Sequence, residues 1–300
     1  MDARRRALLG GLAGLALTRT ARGQPRMHTR PIPYSGEALP VVGVGTWQTF
    51  DVGGDTARRT ELAEVLRVLF DAGGRVVDSS PMYGASESVV GELCAPLKLC
   101  APLFMATKVW TRGREDGIRQ MQRSIERMRA GRLDLMQVHN LVDVETHTKT
   151  LLAWKAEQRV RYIGVTHYTA SAHDDVARAL RTRQYDFVQI NYSLDEPQSA
   201  GTVLSVAQQL GVAVIVNRPF VEGGLFRRTR GKPLPAWAAE LGIASWAQYA
   251  LKWIVSHPAV TCVIPGTGNP RHMRDNVAAG MGAMPDAAMR ARMAGHYSSL

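Results

Sequence analysis

Residues Gly73–Asp78 read GGRVVD, and Ser79–Ser88 continue as SSPMYGASES. Two glycines end whatever precedes them, Val76 and Val77 make a short apolar run, and the run stops on a carboxylate, Asp78. Tyr83 follows five residues later, ahead of Gly84. A continuous apolar run of this kind suits a strand covered on both faces, as in a parallel sheet flanked by helices. Just upstream, ELAEVLRVLFDAGG places Leu62, Val65, Leu66 and Leu69 on one helical face, with the glycines as the stop. A helix feeding a buried strand is half of a β–α repeat.

The same unit recurs along the chain. Short Val/Ile-rich runs lie at Val41–Gly45, Arg75–Asp78, Leu103–Lys108 and Leu133–His139, and again at Tyr162–Thr166, Phe187–Asn191, Val212–Asn217 and Thr261–Pro265. Segments of helical period separate them, among them REDGIRQMQRSIERMRAG, SAHDDVARALRT and ASWAQYALKWIVSH. Eight such repeats in this length predict one α/β domain, a (β/α)8 TIM barrel. A doubly wound sheet is the competing architecture. It would often carry a Gly-rich turn after its first strand, and GVGTWQ lacks the third glycine of that motif. The Pro-rich segment Thr229–Glu240 is expected to be an enlarged loop over the barrel mouth rather than a linker.

In such a barrel the chemistry gathers where the strands finish. The second run ends at Asp78 with Tyr83 just beyond, the third at Lys108, the fourth at His139. Tyrosine is a weak acid, with an ordinary pKa of about 10. An adjacent ammonium is expected to lower that value, and a carboxylate would hold the ammonium in place. A histidine nearby can donate a hydrogen bond to an oxygen held against the phenol. The set can polarise a carbonyl and protonate its oxygen. The hydride that completes a reduction cannot come from a side chain, so a nicotinamide cofactor is implied. Taken singly, each residue has a plainer role: a cap, a surface charge, a core histidine, a packed loop ring. Their placement at consecutive strand ends argues for a shared one.

The motifs GVGTW, Asp78 followed by SSPMYG, TKVW, DLMQVH, GVTHY, VQINYS and IPGTGNPRHMRDN, in that order from about Pro40 to about Asn276, resemble the aldo-keto reductase family. The resemblance implies a catalytic tetrad of Asp78, Tyr83, Lys108 and His139 with Tyr83 as general acid, and reduction of aldehydes or ketones with hydride from NADP(H). It places Trp47 and Trp110 in the substrate pocket. It also assigns cofactor contacts to Gly45, Thr46, Thr166, His167, Gln189, Asn217, Thr267, Arg271, Asp275 and Asn276. Gly223 and Gly224 could bring backbone amides to a pyrophosphate. Three departures stand out. Thr166 and His167 replace a Ser-Asn pair usual at the nicotinamide carboxamide. Asn217 stands where a ring commonly stacks, a contact worth about 0.5–1.5 kcal/mol. Gly266-Thr267 replaces a Lys-Ser pair at the 2′-phosphate, which leaves NAD(H) as an alternative cofactor.

The first twenty-three residues, MDARRRALLGGLAGLALTRTARG, have the pattern of an export signal: three arginines, the apolar run Ala7–Leu17, then small residues. Arg5 and Arg6 ahead of Ala7-Leu8-Leu9 resemble the twin-arginine motif. Residues 1–23 are therefore expected to be a cleaved signal and 24–300 the aldo-keto reductase-like barrel, located in the periplasm. A cytoplasmic chain, or one anchored at its N-terminus, is the alternative. No membrane span is expected in the mature chain. The net charge of +11 is partly local to that leader, and no basic stripe interleaved with aromatics follows, so nucleic acid is not an expected partner. Cys94, Cys100 and Cys262 have no metal-ligand spacing, and Cys94 with Cys100 could pair in an oxidising compartment. No metal site is expected. The expected partner is a small-molecule carbonyl compound. The competing function is a catalytically slow, nicotinamide-binding redox sensor or regulatory protein on the same barrel.

Overall fold

A computed structural model describes residues 26–300; the expected export signal lies outside the described residues. Eight parallel strands form one sheet: β3 (Val44–Gly45), β4 (Val76–Asp78), β5 (Phe104–Val109), β6 (Leu133–His139), β7 (Val160–Thr166), β8 (Phe187–Asn191), β9 (Ala213–Asn217) and β10 (Val260–Val263). They follow one another in sequence order around the sheet. Its two edges meet, since Val42 bridges Val263 and Gly45 bridges Gly266 in parallel. Gly43 donates its N–H to Val263 O at 2.9 Å, and Val263 donates to Val41 O at 2.9 Å. All eight expected runs are barrel strands.

Helices α1 (Thr56–Asp71), α2 (Ser86–Cys94), α3 (Arg114–Met128), α4 (Val144–Ala156), α5 (His173–Leu180), α6 (Val203–Leu210), α7 (Gly224–Arg228), α8 (Trp246–Val255), α9 (Pro270–Ala278) and α10 (Ala287–Ser298) complete the fold. Their ends follow local chemistry. Asp55 caps α1 by accepting from Arg58 N, Ser245 caps α8 and Asn269 caps α9, where Pro270 holds the first helical position. The α1 stripe of Leu62, Val65, Leu66 and Leu69 is fully buried against the sheet's outer face. A disulfide joins Cys94, the last residue of α2, to Cys100, with Cα atoms 5.1 Å apart, and Cys262 is free and buried.

A second, smaller core fills the barrel itself: Val76, Phe104, Ala106, Leu135, Tyr162, Phe187, Ala213, Ile215, Cys262 and Ile264. Side chains of a strand alternate between its faces. Two residues further along, or four on β7 past Gly164, the same inward-facing column continues as Asp78, Lys108, Gln137, Thr166, Gln189 and Asn217, and His139 follows Gln137. The barrel is apolar low down and polar at the carboxyl ends of its strands.

Two features depart from the sequence reading. An antiparallel hairpin, β1 (Thr29–Pro31) and β2 (Ala38–Pro40), precedes the barrel and inserts Ile32 and Leu39 into its inner core. Ser35 Oγ and Tyr162 Oη lie 2.7 Å apart at that end. The segment Thr229–Glu240 does not cover the mouth. It packs on α8 and α10 instead: Trp237 lies 5.9 Å from Tyr249 and 5.9 Å from His296, and Trp246 Nε1 donates to Lys232 O.

Candidate active site

Strand pairing sets the four candidate catalytic groups side by side. Asp78 is level with Gly45 and Ala106, Lys108 with Gln137, and His139 with Thr166. Lys108 is fully buried, and its Nζ donates to Asp78 Oδ2 and to Ser79 O, both at 2.6 Å. A third N–H is left for the Tyr83 phenol, whose ring centroid is 5.1 Å from Nζ. Burial lowers the Lys108 pKa, but the Asp78 carboxylate and the hydrogen bonds to Asp78 and Tyr83 outweigh it, and the net direction is upward.

Tyr83 sits on a turn held from two sides. Its N–H donates to Ser80 O, while Asp51 Oδ1 accepts from Ala85 N at 2.8 Å. Gly84 between them has φ +57°, and a Cβ there would collide with the Asp51 carboxylate. The loop thus closes only because position 84 lacks a side chain. The phenol differs from the expectation for its acidity. Desolvation raises its pKa above the ordinary 10.0, the Lys108 ammonium lowers it by less, and Asp78 adds to the rise. Tyr83 therefore stays protonated, as a proton donor requires.

His139 faces Tyr83 edge-on, with ring centroids 6.0 Å apart. Burial, with the positive charge of Lys108 and then His167, lowers its pKa to about 2, so the ring is neutral. Ser80 Oγ is 3.1 Å from His139 Nδ1 and also accepts from Met82 N. Where the Ser80 hydroxyl donates to Nδ1, the ring proton sits on Nε2.

Predicted and unpredicted residues together complete the wall, Gln137 and Ser79 being the additions. Asp78 Oδ1 accepts from Gln189 Nε2 at 2.8 Å and from Gln137 Nε2 at 3.2 Å. Gln137 stands two residues before His139 on the same strand, so strand alternation was the signal that could have found it. Thr46 Oγ1 donates to Ser79 Oγ. The segment Arg218–Gly223 has positive φ at Arg218, Val221, Glu222 and Gly223, a strained course for a β-branched residue such as Val221. Arg218 bonds Glu222 at 2.6 Å and lies 3.7 Å from Glu196. Nothing in the residue types of that segment signals such a backbone.

A cavity of about 460 Å³ opens over these groups. Of the sequence-predicted residues it is lined by Gly45, Thr46, Trp47, Asp78, Tyr83, His139, Thr166, Gln189, Asn217 and Gly223, joined by Met82, Tyr168, Phe220 and Phe226. Lys108 lies beneath Asp78. Trp110 stands at the rim, 41% exposed, with its ring centroid 6.4 Å from that of His139. Other predicted contacts are elsewhere. The His167 ring accepts from Tyr168 N and Thr169 N and stacks on Tyr168. Gly224 opens α7, and Thr267 is buried and accepts from Asn269 N. Arg271 is exposed on α9. Asp275 is committed to Ser245 Oγ and Gln248 Nε2, both at 2.6 Å, and Asn276 is buried on α9. Among the described residues there is no cluster of three or more metal-ligating side chains, and no helix is long and apolar enough to cross a membrane.

Comparison with known proteins agrees with this architecture. The chain is 28% identical over 261 residues to an aldo-keto reductase, str7, from Strobilurus tenacellus, covering 73% of this chain and 76% of the relative. It is 26% identical over 277 residues to pyridoxine 4-dehydrogenase of Escherichia coli strain K12, covering 84% and 93%. Its fold superposes, with a TM-score of 0.74, on an aldo/keto reductase from Klebsiella pneumoniae solved in complex with NADP and acetate. That match covers 87% of this chain and 93% of the other at 24% identity. The family model described as "Aldo/keto reductase family" matches residues 41–291. The chain belongs to the aldo/keto reductase family.

Proposed function

We propose that this oxidoreductase reduces aldehyde or ketone carbonyls to alcohols, with Tyr83 as the proton donor and a bound nicotinamide dinucleotide, NADP(H) by preference, supplying the hydride. The observation that carries the reading is the buried Asp78–Lys108 pair beside Tyr83, with the neutral His139 ring lining the same cavity. The Klebsiella relative's NADP complex agrees with the cofactor assignment. The residues also fit an amide-bearing cofactor, because Asn217 lines the cavity with its Oδ1 buried and unpartnered. Thr166 and Asn217 would form its holding wall, with Gln189 bracing both from behind, and Gly223 would approach it along the strained segment.

In this reading the substrate oxygen lies between the Tyr83 hydroxyl and His139 Nε2–H. Both donors polarise the carbonyl, and the carbon becomes open to hydride. Tyr83 passes its proton to the oxygen as the C–O double bond becomes single, and the Lys108 ammonium stabilises the phenolate left behind. Asp78 keeps that ammonium in place, and Gln137 and Gln189 keep Asp78 in place. Trp47, Met82, Phe220 and Phe226 make the cavity walls largely apolar, which favours carbonyl compounds with a hydrophobic side and excludes water from the hydride path.

The test is NADPH consumption against a panel of aldehydes and ketones. Tyr83→Phe is expected to lower kcat by roughly a hundred- to ten-thousand-fold while nucleotide affinity stays unchanged. A second reading, the slow nicotinamide-binding sensor, is favoured by Asn217 in place of a stacking ring. It would show as tight nucleotide binding with no turnover of any carbonyl. Export to the periplasm belongs to the same proposal, and the Cys94–Cys100 disulfide supports it. Replacing Arg5 and Arg6 by lysine is expected to retain the chain in the cytoplasmic fraction. Unchanged periplasmic recovery would refute the twin-arginine route.

A further inference from the structure

Asn217 has one end of its amide fixed and the other unmet. Its Nδ2 donates to the backbone carbonyl of His167 at 3.1 Å and to Gln189 Oε1 at 3.3 Å. A backbone carbonyl only accepts, so the NH2 end must face it and Oδ1 must face away. Oδ1 is buried and has no partner among the described residues, although Asn217 lines the cavity. A buried acceptor in that state calls for a donor from whatever fills the cavity.

Gln189, the neighbouring amide, has its acceptor filled. Its Nε2 donates to Asp78 Oδ1 at 2.8 Å, and a carboxylate likewise only accepts, which fixes the orientation. Its Oε1 then receives Thr166 Oγ1 and Asn217 Nδ2, both at 3.3 Å. Gln189 thus braces Asp78 and has no acceptor to spare. Asn140 also lines the cavity with Oδ1 unpartnered. No side-chain bond fixes which end of its amide points where, so it cannot specify a donor or an acceptor.

We propose that Asn217 Oδ1 is the acceptor for the carboxamide NH2 of the nicotinamide, so that Asn217 orients the ring by a hydrogen bond where its residue type forgoes stacking. The proposal rests on the reductase reading of the cavity. It assigns Gln189 to Asp78 and makes Asn217 the residue that distinguishes a carboxamide from a group of the same shape without N–H.

The test is tryptophan-quenching titration of the full chain with three ligands: the oxidised dinucleotide phosphate, its 3-acetylpyridine analogue, and 2′-phospho-ADP-ribose. The analogue replaces the amide NH2 by a methyl group, and the last lacks the nicotinamide altogether. Wild type is expected to bind the dinucleotide about five- to tenfold tighter than the analogue. Asn217→Ala should close that gap without altering affinity for 2′-phospho-ADP-ribose, which also shows that the variant is folded. Gln189→Leu should keep the gap. A gap that survives Asn217→Ala, or one that vanishes only in Gln189→Leu, overturns the proposal and leaves the cofactor site standing. Absence of binding by all three ligands to folded wild type overturns both.

Discussion

At the scale of single residues, the site works because protonation states are set by where the side chains lie. His139 is the clearest case. Its pKa falls from 6.5 to about 2, first through burial and then through the positive charge of Lys108. The unfolded chain therefore binds a proton on this residue between those values and the folded chain does not. Stability attributable to His139 is complete above pH 6.5 and falls by about 1.4 kcal/mol for each unit of acidification below it. Melting temperature measured from pH 7 to pH 4 should decline less steeply in His139→Gln than in wild type; equal slopes would contradict the assignment. Ser80 acts through His139. Ser80→Ala should free the ring tautomer, raise KM for carbonyl substrates several-fold while nucleotide affinity stays constant, and shift the His139 ring 15N resonances toward a tautomer mixture. An unchanged NMR spectrum would reduce Ser80 to a packing residue.

At the scale of elements, strands β4 to β9 deliver polar residues at or near their carboxyl ends, and the loops decide what reaches them. The turn carrying Tyr83 depends on Gly84, at φ +57°, against Asp51. Gly84→Ala forces a Cβ into the Asp51 carboxylate and is expected to displace the phenol. The expected outcome is a fall in kcat of roughly a hundredfold, in line with the cost of misplacing a reacting group, with the melting temperature lowered by only a few degrees. Full activity in this variant would show that the loop has room to spare. The disulfide belongs to this scale too. It closes a six-residue separation between Cys94 and Cys100 and is expected to contribute about 2 kcal/mol by restricting the unfolded chain. Cys94→Ser should therefore lower the melting temperature by several degrees and leave kcat unaltered. A matching loss of activity would tie the α2 terminus to the site.

At the scale of the whole molecule, the parts of the fold that the sequence reveals are those governed by burial on both faces. Parallel strands under helices read as unbroken apolar runs, so all eight were visible, and so was the residue ending each. Asp78, Tyr83, Lys108 and His139 could be seen together because the barrel brings strand ends to one mouth. Gln137 was equally legible in principle, two residues before His139, but a glutamine inside an apolar run carries no chemistry of its own. The hairpin Thr29–Pro40 was hidden by its brevity and its prolines, and only its tertiary role of sealing the barrel with Ile32 and Leu39 explains it. The left-handed Arg218, Val221 and Glu222 leave no mark in residue type. His167 stands among the expected cofactor contacts by position, and its ring Nδ1 accepts from Tyr168 N and Thr169 N, bonds that the sequence does not reveal.

The central claim is that this barrel moves a hydride to a carbonyl carbon while Tyr83 protonates the oxygen. It is tested most directly by turnover of a reactive aldehyde with NADPH deuterated at C4, each face in turn, followed by mass analysis of the alcohol. Wild type should place the deuterium from one face, and not the other, on the carbinol carbon, and Tyr83→Phe should yield almost no alcohol while still binding NADPH. Alcohol free of deuterium from both faces, or undiminished alcohol from Tyr83→Phe, would contradict the account.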